Sequence, residues 1–200
     1  RPVNRPAVMV PALAAALAAG YLGYRSARPP ASALTQSAAP RLLEGAEAWP
    51  LPDFSLKDDA ARTVAKADLL GRPWVAAFIY ASCPGQCPMM TAKMKALRER
   101  LPEAYLVSFS VDSADTPERL AAYKRTYGAD WLFLTGASGV VRALCRDGFK
   151  LAVADGLDPK DPIIHSDKLV LVDRDAKVRG FFDPSDKAHL AALEAALKSL

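Results

Sequence analysis

The chain has 200 residues, of which 51% are hydrophobic, and a formal net charge of +4 at pH 7. This length is enough for one domain of ordinary size with additional segments. Lysine and arginine are scattered among aspartate and glutamate, which argues against a nucleic-acid-binding protein. The three cysteines are too few for a disulfide framework, and the close spacing of two of them points to redox or metal chemistry.

The N-terminal part contains an uncharged run from Ala7 to Tyr24, near the lower length limit for a membrane-spanning helix. Tyr21 and Tyr24 would suit a membrane interface at one end of this run. We predict an N-terminal membrane anchor over residues 1–25, with a cleaved signal peptide as the alternative. Residues 26–50 are rich in proline, alanine and serine and are predicted to form a linker.

Residues 51–200 alternate between strand-like and helix-like patterns. The predicted elements are strands at 53–56, 74–80, 104–111 and 131–134, helices at 88–101, 116–127 and 138–146, a hairpin of 168–173 with 177–182, and a final helix with a stripe of Leu190, Leu193, Leu197 and Leu200. The nearly continuous apolar run at 74–80 is typical of a central strand that is covered on both faces. The order predicts an α/β domain with a thioredoxin-like, mixed central sheet that is flanked by helices.

Two cysteines, Cys83 and Cys87, lie where the central strand turns into a helix. Unpaired N–H groups and the positive end of the helix dipole favour thiolate over thiol there, so these cysteines should be unusually acidic. Their spacing of one helical turn allows either a disulfide or a dithiolate, and a dithiolate prefers Cu(I) to hard cations.

A third ligand for such a site is His165, which directly precedes the strand at 168–173. In a thioredoxin-like sheet, the loop before that strand packs beside the cysteine loop, so we predict that His165 joins Cys83 and Cys87. The alternative is a histidine that only makes a hydrogen bond within its loop. A structural zinc site would need four ligands, and the sequence offers three.

The remaining candidate residues have simpler interpretations. His189 lies beside the apolar stripe of the last helix and is predicted to face solvent. Cys145 is predicted to be a buried structural thiol. Asp115 or Thr116 is predicted to cap the helix that follows, with contact to the site as a lesser role for Asp115. Met89 adjoins Cys87 and could offer a thioether, although packing is the simpler role.

Several motifs together resemble the Sco/SenC family of copper proteins. They are Asp-Phe-Ser-Leu at 53–56, Phe-Ile-Tyr-Ala-Ser-Cys-Pro-Gly-Gln-Cys-Pro at 78–88, Val-Asp-Ser-Ala-Asp-Thr-Pro-Glu at 111–118, Leu-Thr-Gly at 134–136 and Ile-His-Ser at 164–166. The resemblance implies copper bound by Cys83, Cys87 and His165. It also implies a thioredoxin-like domain that is anchored in the bacterial inner membrane and faces the periplasm, or the corresponding mitochondrial location. The implied role is assembly of the copper centre of cytochrome c oxidase, and the implied partner is its copper-bearing subunit or another copper or thiol protein.

Three functions follow from these residues. The first is copper delivery, which a histidine ligand favours because thiol–disulfide exchange needs no histidine. The second is a thiol–disulfide oxidoreductase that reduces partner cysteines through the redox pair Cys83 and Cys87. The third is a thiol peroxidase, which we rank last because Tyr80 stands where those enzymes have a threonine three residues before the reactive cysteine.

Overall fold

The structure is a computed structural model and describes residues 40–137, 139–158 and 161–200. The strands in these residues are β1 (Trp49–Pro50), β2 (Ser55–Asp58), β3 (Thr63–Ala65), β4 (Trp74–Ile79), β5 (Tyr105–Ser110), β6 (Leu132–Thr135), β7 (Val153–Asp158), β8 (Asp161–His165), β9 (Leu169–Val172) and β10 (Lys177–Phe182). The α-helices are α1 (Gln86–Arg100), α2 (Pro117–Tyr127), α3 (Val140–Ala143) and α4 (Lys187–Ser199).

Eight strands form one mixed sheet in the order β1-β10-β9-β4-β5-β6-β2-β3. Strands β4, β5 and β6 run parallel to one another, and β9 runs antiparallel to β4. All six residues of β4 are buried. Because β4 has neighbours on both edges and neither face meets water, its sequence is apolar throughout.

The topology brings four loops to one end of the sheet. The cysteine loop follows β4, residues 111–116 follow β5, and the start of α3 follows β6. Residues 166–168 lead into the antiparallel strand β9 at this same end. We call this end of the sheet the site end.

Helix α2 begins and ends where local chemistry predicts. Thr116 caps α2 by accepting a hydrogen bond from the Arg119 N–H, and Pro117 occupies the first turn. Gly128 ends α2 with a φ of 58°, in the left-handed region that glycine adopts without strain. Helix α1 begins two residues before the predicted position, and its face toward the core carries Met90, Met94 and Leu97, as the spacing predicted.

One structured segment was not predicted from the sequence. Strands β7 and β8 pair as an antiparallel hairpin, a separate two-stranded sheet in which Val153 pairs with His165. The helix predicted at 138–146 is shorter than expected, since α3 gives way to a π-helical turn at Leu144–Gly148. The Leu151 N–H then donates to the Cys145 carbonyl, which holds the chain that leads into the hairpin.

The prediction that His189 faces solvent is wrong. Its side chain is buried, and its Nδ1 accepts a hydrogen bond from the Asp183 N–H at 3.2 Å. The buried residues of α4 are His189, Leu193 and Ala196, so the helix is rotated relative to the predicted leucine stripe. Of that stripe only Leu193 is fully buried, because Leu190, Leu197 and Leu200 cover the border of the core.

The last part of the predicted linker packs on the domain. The Leu43 N–H donates to the Arg179 carbonyl, and the Trp49 indole N–H donates to the Gly148 carbonyl at 2.7 Å. The segment predicted to be a membrane anchor, residues 1–25, lies outside the described residues. Within the described ranges, no helix combines the length and the apolar character needed to cross a membrane.

Candidate metal centre

The cysteine loop brings the start of α1 against the Cys83 sulfur. Cys87 lies in the first turn of α1, and its backbone N–H donates to the Cys83 Sγ at 3.3 Å. Burial by itself would raise the pKa of the Cys83 thiol. Four hydrogen bonds outweigh this effect of burial and lower the pKa below its usual range. They come from the backbone N–H groups of Cys87 and Gly85 and from the side chains of Cys87 and Tyr80. Cys83 therefore has the environment of a reactive thiolate at a helix start.

His165 lies next to Cys87, the second cysteine of the site. It is the last residue of β8, and its Nε2 lies 3.2 Å from the Cys87 Sγ. Its Nδ1 lies 3.0 Å from the Ser166 carbonyl oxygen, which can only accept a hydrogen bond. A neutral ring therefore carries its proton on Nδ1 and turns the Nε2 lone pair toward the Cys87 sulfur.

Tyr80 contacts both Cys83 and His165, and it was not predicted to be a site residue. Its side chain hydrogen-bonds Cys83, and its ring meets the His165 ring edge to face at a centroid distance of 5.8 Å. The side chain is fully buried at the end of the central apolar run. Its position three residues before Cys83 is the signal in the sequence that could have identified it.

Asp115 holds the cysteine loop rather than capping a helix. Its Oδ2 accepts hydrogen bonds from the Ala81 N–H at 2.7 Å and from the Ser110 hydroxyl at 2.6 Å. The cap of α2 is Thr116, so the side chain of Asp115 is available for the neighbouring loop. Burial, the largest influence, raises the pKa of this carboxyl above its ordinary value.

The other candidate sulfur atoms belong to core or surface residues. Cys145 is buried in the π-helical turn, and burial raises its pKa to about 12, which suits an inert structural thiol. Met90 and Met94 are core residues, whereas Met89 is exposed. In the described part of the chain, no three His, Cys, Asp or Glu side chains are already gathered as a metal site. The donors present, two thiols and an imidazole, have a chemistry that fits a soft ion such as Cu(I).

Comparison with known proteins decides the family. The sequence model of the SCO1/SenC family matches residues 46–199, well over half of the chain. The chain belongs to the SCO1/SenC family. The SCO1 protein homolog of Bacillus subtilis (strain 168) is 32% identical over 134 residues, which cover 62% of this chain and 69% of that protein.

Solved Sco structures share the fold. BsSco, a member of the Sco family of cytochrome c oxidase assembly proteins in which a disulfide switch was identified, superposes with a TM-score of 0.69 at 27% identity, over 78% of this chain and 96% of its own. Bradyrhizobium japonicum ScoI, solved with copper bound, superposes with a TM-score of 0.61 at 22% identity, over 76% of this chain and 99% of its own. The predicted family and the thioredoxin-like, mixed sheet are thus confirmed.

Proposed function

We propose that this Sco protein binds Cu(I) through Cys83, Cys87 and His165 and delivers it to the copper centre of cytochrome c oxidase. The observation that carries the proposal is the 3.2 Å approach of the His165 Nε2 to the Cys87 Sγ, next to the Cys83 thiol, whose sulfur accepts the Cys87 backbone N–H at 3.3 Å. Redox exchange alone would not need an imidazole there. The copper-bound ScoI structure supports the same cargo within the family.

The chemistry of each donor fits this role. Two thiolates supply the soft, negative ligands that Cu(I) prefers, and a neutral imidazole can complete a three-coordinate site. The hydrogen bond from the His165 Nδ1 to the Ser166 carbonyl fixes the ring and leaves Nε2 as the ligating nitrogen. The Cys87 N–H that points at the Cys83 sulfur stabilises negative charge on that sulfur.

A second function, thiol–disulfide exchange, is favoured by the lowered pKa of Cys83. In this reaction the Cys83 thiolate attacks a partner disulfide, forms a mixed disulfide and releases one partner thiolate. The Cys87 thiolate then attacks the Cys83 sulfur and releases the second partner thiolate. Two electrons pass to the partner, and Cys83 and Cys87 end as a disulfide. The disulfide switch of BsSco supports such a cycle in a relative, whereas the peroxidase alternative gains no support from the loop, where Tyr80 contacts Cys83.

The proposal includes the location and the client. We place the domain outside the cytoplasm, in the periplasm of a bacterium, on a membrane anchor formed by residues 1–25, with the copper-bearing subunit of the oxidase or another copper or thiol protein as partner. The uncharged run from Ala7 to Tyr24 supports the anchor. Fusion of a reporter that works only in the cytoplasm to the C-terminus should give no activity, and strong activity would rule out this location.

The copper proposal is tested by competition for Cu(I) between a chelator and the reduced chain. The parent should bind one Cu(I), and the double variant Cys83→Ala/Cys87→Ala should lose stable binding because no thiolate remains at the site. His165→Ala should weaken binding without abolishing it, and oxidised protein should bind far less. The matched control is Cys145→Ala, which removes a buried thiol away from the site and should leave copper affinity unchanged. Equal affinity of the parent and the double variant would end the copper proposal.

A further inference from the structure

Two buried hydroxyl groups connect helix α2 to the backbone of Cys87. The Thr91 Oγ1 lies 2.9 Å from the Cys87 carbonyl oxygen, and the Tyr123 hydroxyl lies 2.9 Å from the same Oγ1. The carbonyl can only accept a hydrogen bond, so Thr91 uses its single hydroxyl hydrogen there. Tyr123 must then donate to Thr91, and the hydroxyl chain runs in one direction, from Tyr123 through Thr91 to Cys87.

The hydroxyl chain lies in the interior of the domain, where its bonds are costly to break. Thr91 and Tyr123 are both buried. The Tyr123 ring packs against the rings of Tyr127 and Phe133 at centroid distances of 4.5 Å and 6.0 Å. Burial raises the pKa of Tyr123, so its hydroxyl keeps the proton that it donates. In a buried chain the bonds polarise and strengthen one another, and removal of one member leaves a polar neighbour without its partner.

The start of helix α1 has few other restraints of this kind. A bond from a threonine to the carbonyl four residues earlier stabilises a helix little by itself. However, the N-cap residue of α1 is Gly85, which has no side chain to cap the helix, and Pro88 in the first turn has no N–H. The Cys87 N–H donates instead to the Cys83 Sγ at 3.3 Å. The first turn is therefore held by a reactive sulfur on one side and by the hydroxyl chain on the other.

The position of Cys87 determines both contacts within the proposed copper site. Its Sγ lies 3.2 Å from the His165 Nε2, and its N–H points at the Cys83 Sγ. A shift of the first turn would move this sulfur and this N–H together, because they belong to one residue. Thr91 holds the carbonyl of the same residue, and Tyr123 holds Thr91 from a different helix. Helix α2 therefore restrains Cys87 through Thr91.

We propose that Thr91 and Tyr123 are positioning residues that hold Cys87 in the geometry of the copper-binding dithiol and oppose its conversion to the disulfide. This inference rests on the proposed function, because it concerns the same two thiols. In the disulfide, the Cys83 sulfur no longer carries the negative charge that attracts the Cys87 N–H, and the Cys87 sulfur turns from His165 toward Cys83. The first turn of α1 must adapt to this change, and the hydroxyl chain resists it.

The first measurement is chelator competition for Cu(I) with the reduced, full-length chain. Thr91→Val keeps the shape of the side chain but removes its hydroxyl, and it should bind Cu(I) about tenfold more weakly. Tyr123→Phe leaves the bond from Thr91 to Cys87 in place and should weaken binding about threefold. Thr91→Ser retains the hydroxyl and should bind as the parent does. The matched control is Tyr127→Phe, which removes the hydroxyl of a neighbouring tyrosine outside the chain and should leave the affinity unchanged.

The second measurement needs no copper and uses equilibration with reduced and oxidised glutathione. One molecule of oxidised glutathione takes two electrons and two protons from the thiols of Cys83 and Cys87 and leaves as two molecules of reduced glutathione. Thr91→Val should shift this equilibrium about tenfold toward the Cys83–Cys87 disulfide, which lowers the reduction potential by about 30 mV. Thr91→Ser and Tyr127→Phe should keep the equilibrium of the parent.

A double variant tests whether Tyr123 acts through Thr91. If it does, Thr91→Val/Tyr123→Phe should match Thr91→Val in copper affinity and in reduction potential. It should also unfold no more easily than Thr91→Val, because no hydroxyl is left buried without a partner. A further tenfold loss of copper affinity in the double variant would show that Tyr123 acts by another route and would overturn the hydroxyl chain.

The outcomes separate this inference from the proposed function. If the parent binds Cu(I) and Thr91→Val equals it in affinity and in potential, the positioning role is wrong while the copper function stands. A lower stability in urea denaturation without a change in these two quantities would show a structural role only and would also overturn the inference. If the parent binds no Cu(I), the copper function fails, and the glutathione equilibrium decides: a tenfold shift supports the positioning role and no shift refutes it. If Thr91→Val does not fold, Tyr123→Phe is judged by the same measurements.

Discussion

Replacement of Asp115 by alanine should loosen the cysteine loop from within the fold. Asp115 is buried, and its Oδ2 accepts from the Ala81 N–H at 2.7 Å and from the Ser110 hydroxyl at 2.6 Å. Alanine at this position removes the only acceptor found among the described residues for the Ala81 N–H and the close acceptor of the Ser110 hydroxyl, which keeps only the Asp112 carbonyl at 3.5 Å, too far for a strong hydrogen bond. Each orphaned donor costs roughly 1–3 kcal/mol, and removal of a carboxyl that burial disfavours offsets part of this cost.

The expected loss in the free energy of unfolding of Asp115→Ala is therefore about 2–4 kcal/mol. In a domain of this size such a loss lowers the melting temperature by roughly 5–15 °C. Urea denaturation at pH 7 measures the free energy. Hydrogen exchange of the Ala81 amide reports on the loop itself, because this N–H loses its acceptor only in the variant.

Asp115→Asn is the matched variant, since it keeps an acceptor oxygen but removes the ionisable group. Burial raises the pKa of Asp115 above its ordinary value of 3.8, so the folded state favours the protonated carboxyl. The stability that this group contributes is then complete below pH 3.8 and is lost as the pH rises through the raised pKa. The advantage of the parent over Asp115→Asn should accordingly shrink as the pH rises through that window. Asp58 and Asp183, whose pKa values are lowered, produce the opposite slope, but they are common to both proteins and cancel in the difference.

The reasoning about Asp115 would be refuted by a stability of Asp115→Ala within about 0.5 kcal/mol of the parent, the range of ordinary surface substitutions. It would also be refuted by unchanged protection of the Ala81 amide. A stability difference between parent and Asp115→Asn that does not vary with pH would contradict the raised pKa alone.

Two further predictions concern the thiols and the core. With iodoacetamide at neutral pH, the reduced chain should be alkylated first at Cys83 and last at Cys145, because burial raises the pKa of Cys145 to about 12. Mild oxidation should join Cys83 to Cys87 with a mass loss of about two hydrogens, and peptide mass spectrometry that found mainly a link to Cys145 would contradict this. Phe149→Ala should lower the free energy of unfolding by about 3–5 kcal/mol, because this buried ring contacts three aromatic rings of the central strands; a loss below about 1 kcal/mol in urea denaturation would show that the core closes over the gap.

The sequence was most informative where one strand carries its own signal. The apolar run at 74–80 predicted a central strand, and β4 is buried along its whole length between β5 and β9. The approach of His165 to Cys87, two residues that are 78 positions apart, followed only from the order of elements in a thioredoxin-like layout. Local periodicity contains no such information, so this contact depended on a correct assignment of the fold.

The misses have physical causes of three kinds. The strands β7 and β8 contain glycine, proline and several aspartates, so their strand structure comes from pairing with each other rather than from intrinsic preference. His189 was misplaced because the stripe of α4 was assigned from leucines alone, whereas a buried histidine that accepts a backbone hydrogen bond belongs to the covered face. Asp115 and Thr116 both suit a helix cap, and sequence does not show which of two adjacent candidates is left to hold a neighbouring loop.

The asymmetry of the cysteine pair explains how one site can serve both proposed functions. Cys83 lies at the edge of solvent, and its sulfur accepts a backbone N–H, whereas Cys87 is wholly buried against the His165 Nε2. An incoming sulfur can therefore reach Cys83 first, either to share a copper ion or to begin disulfide exchange. Bound Cu(I) would occupy the sulfur electron pairs that the two steps of disulfide exchange require. Copper loading and oxidation of the cysteine pair would therefore exclude one another. The His165 imidazole beside Cys87 would favour the copper-loaded state, so replacement of His165 should shift the balance of the two proposed functions toward disulfide exchange.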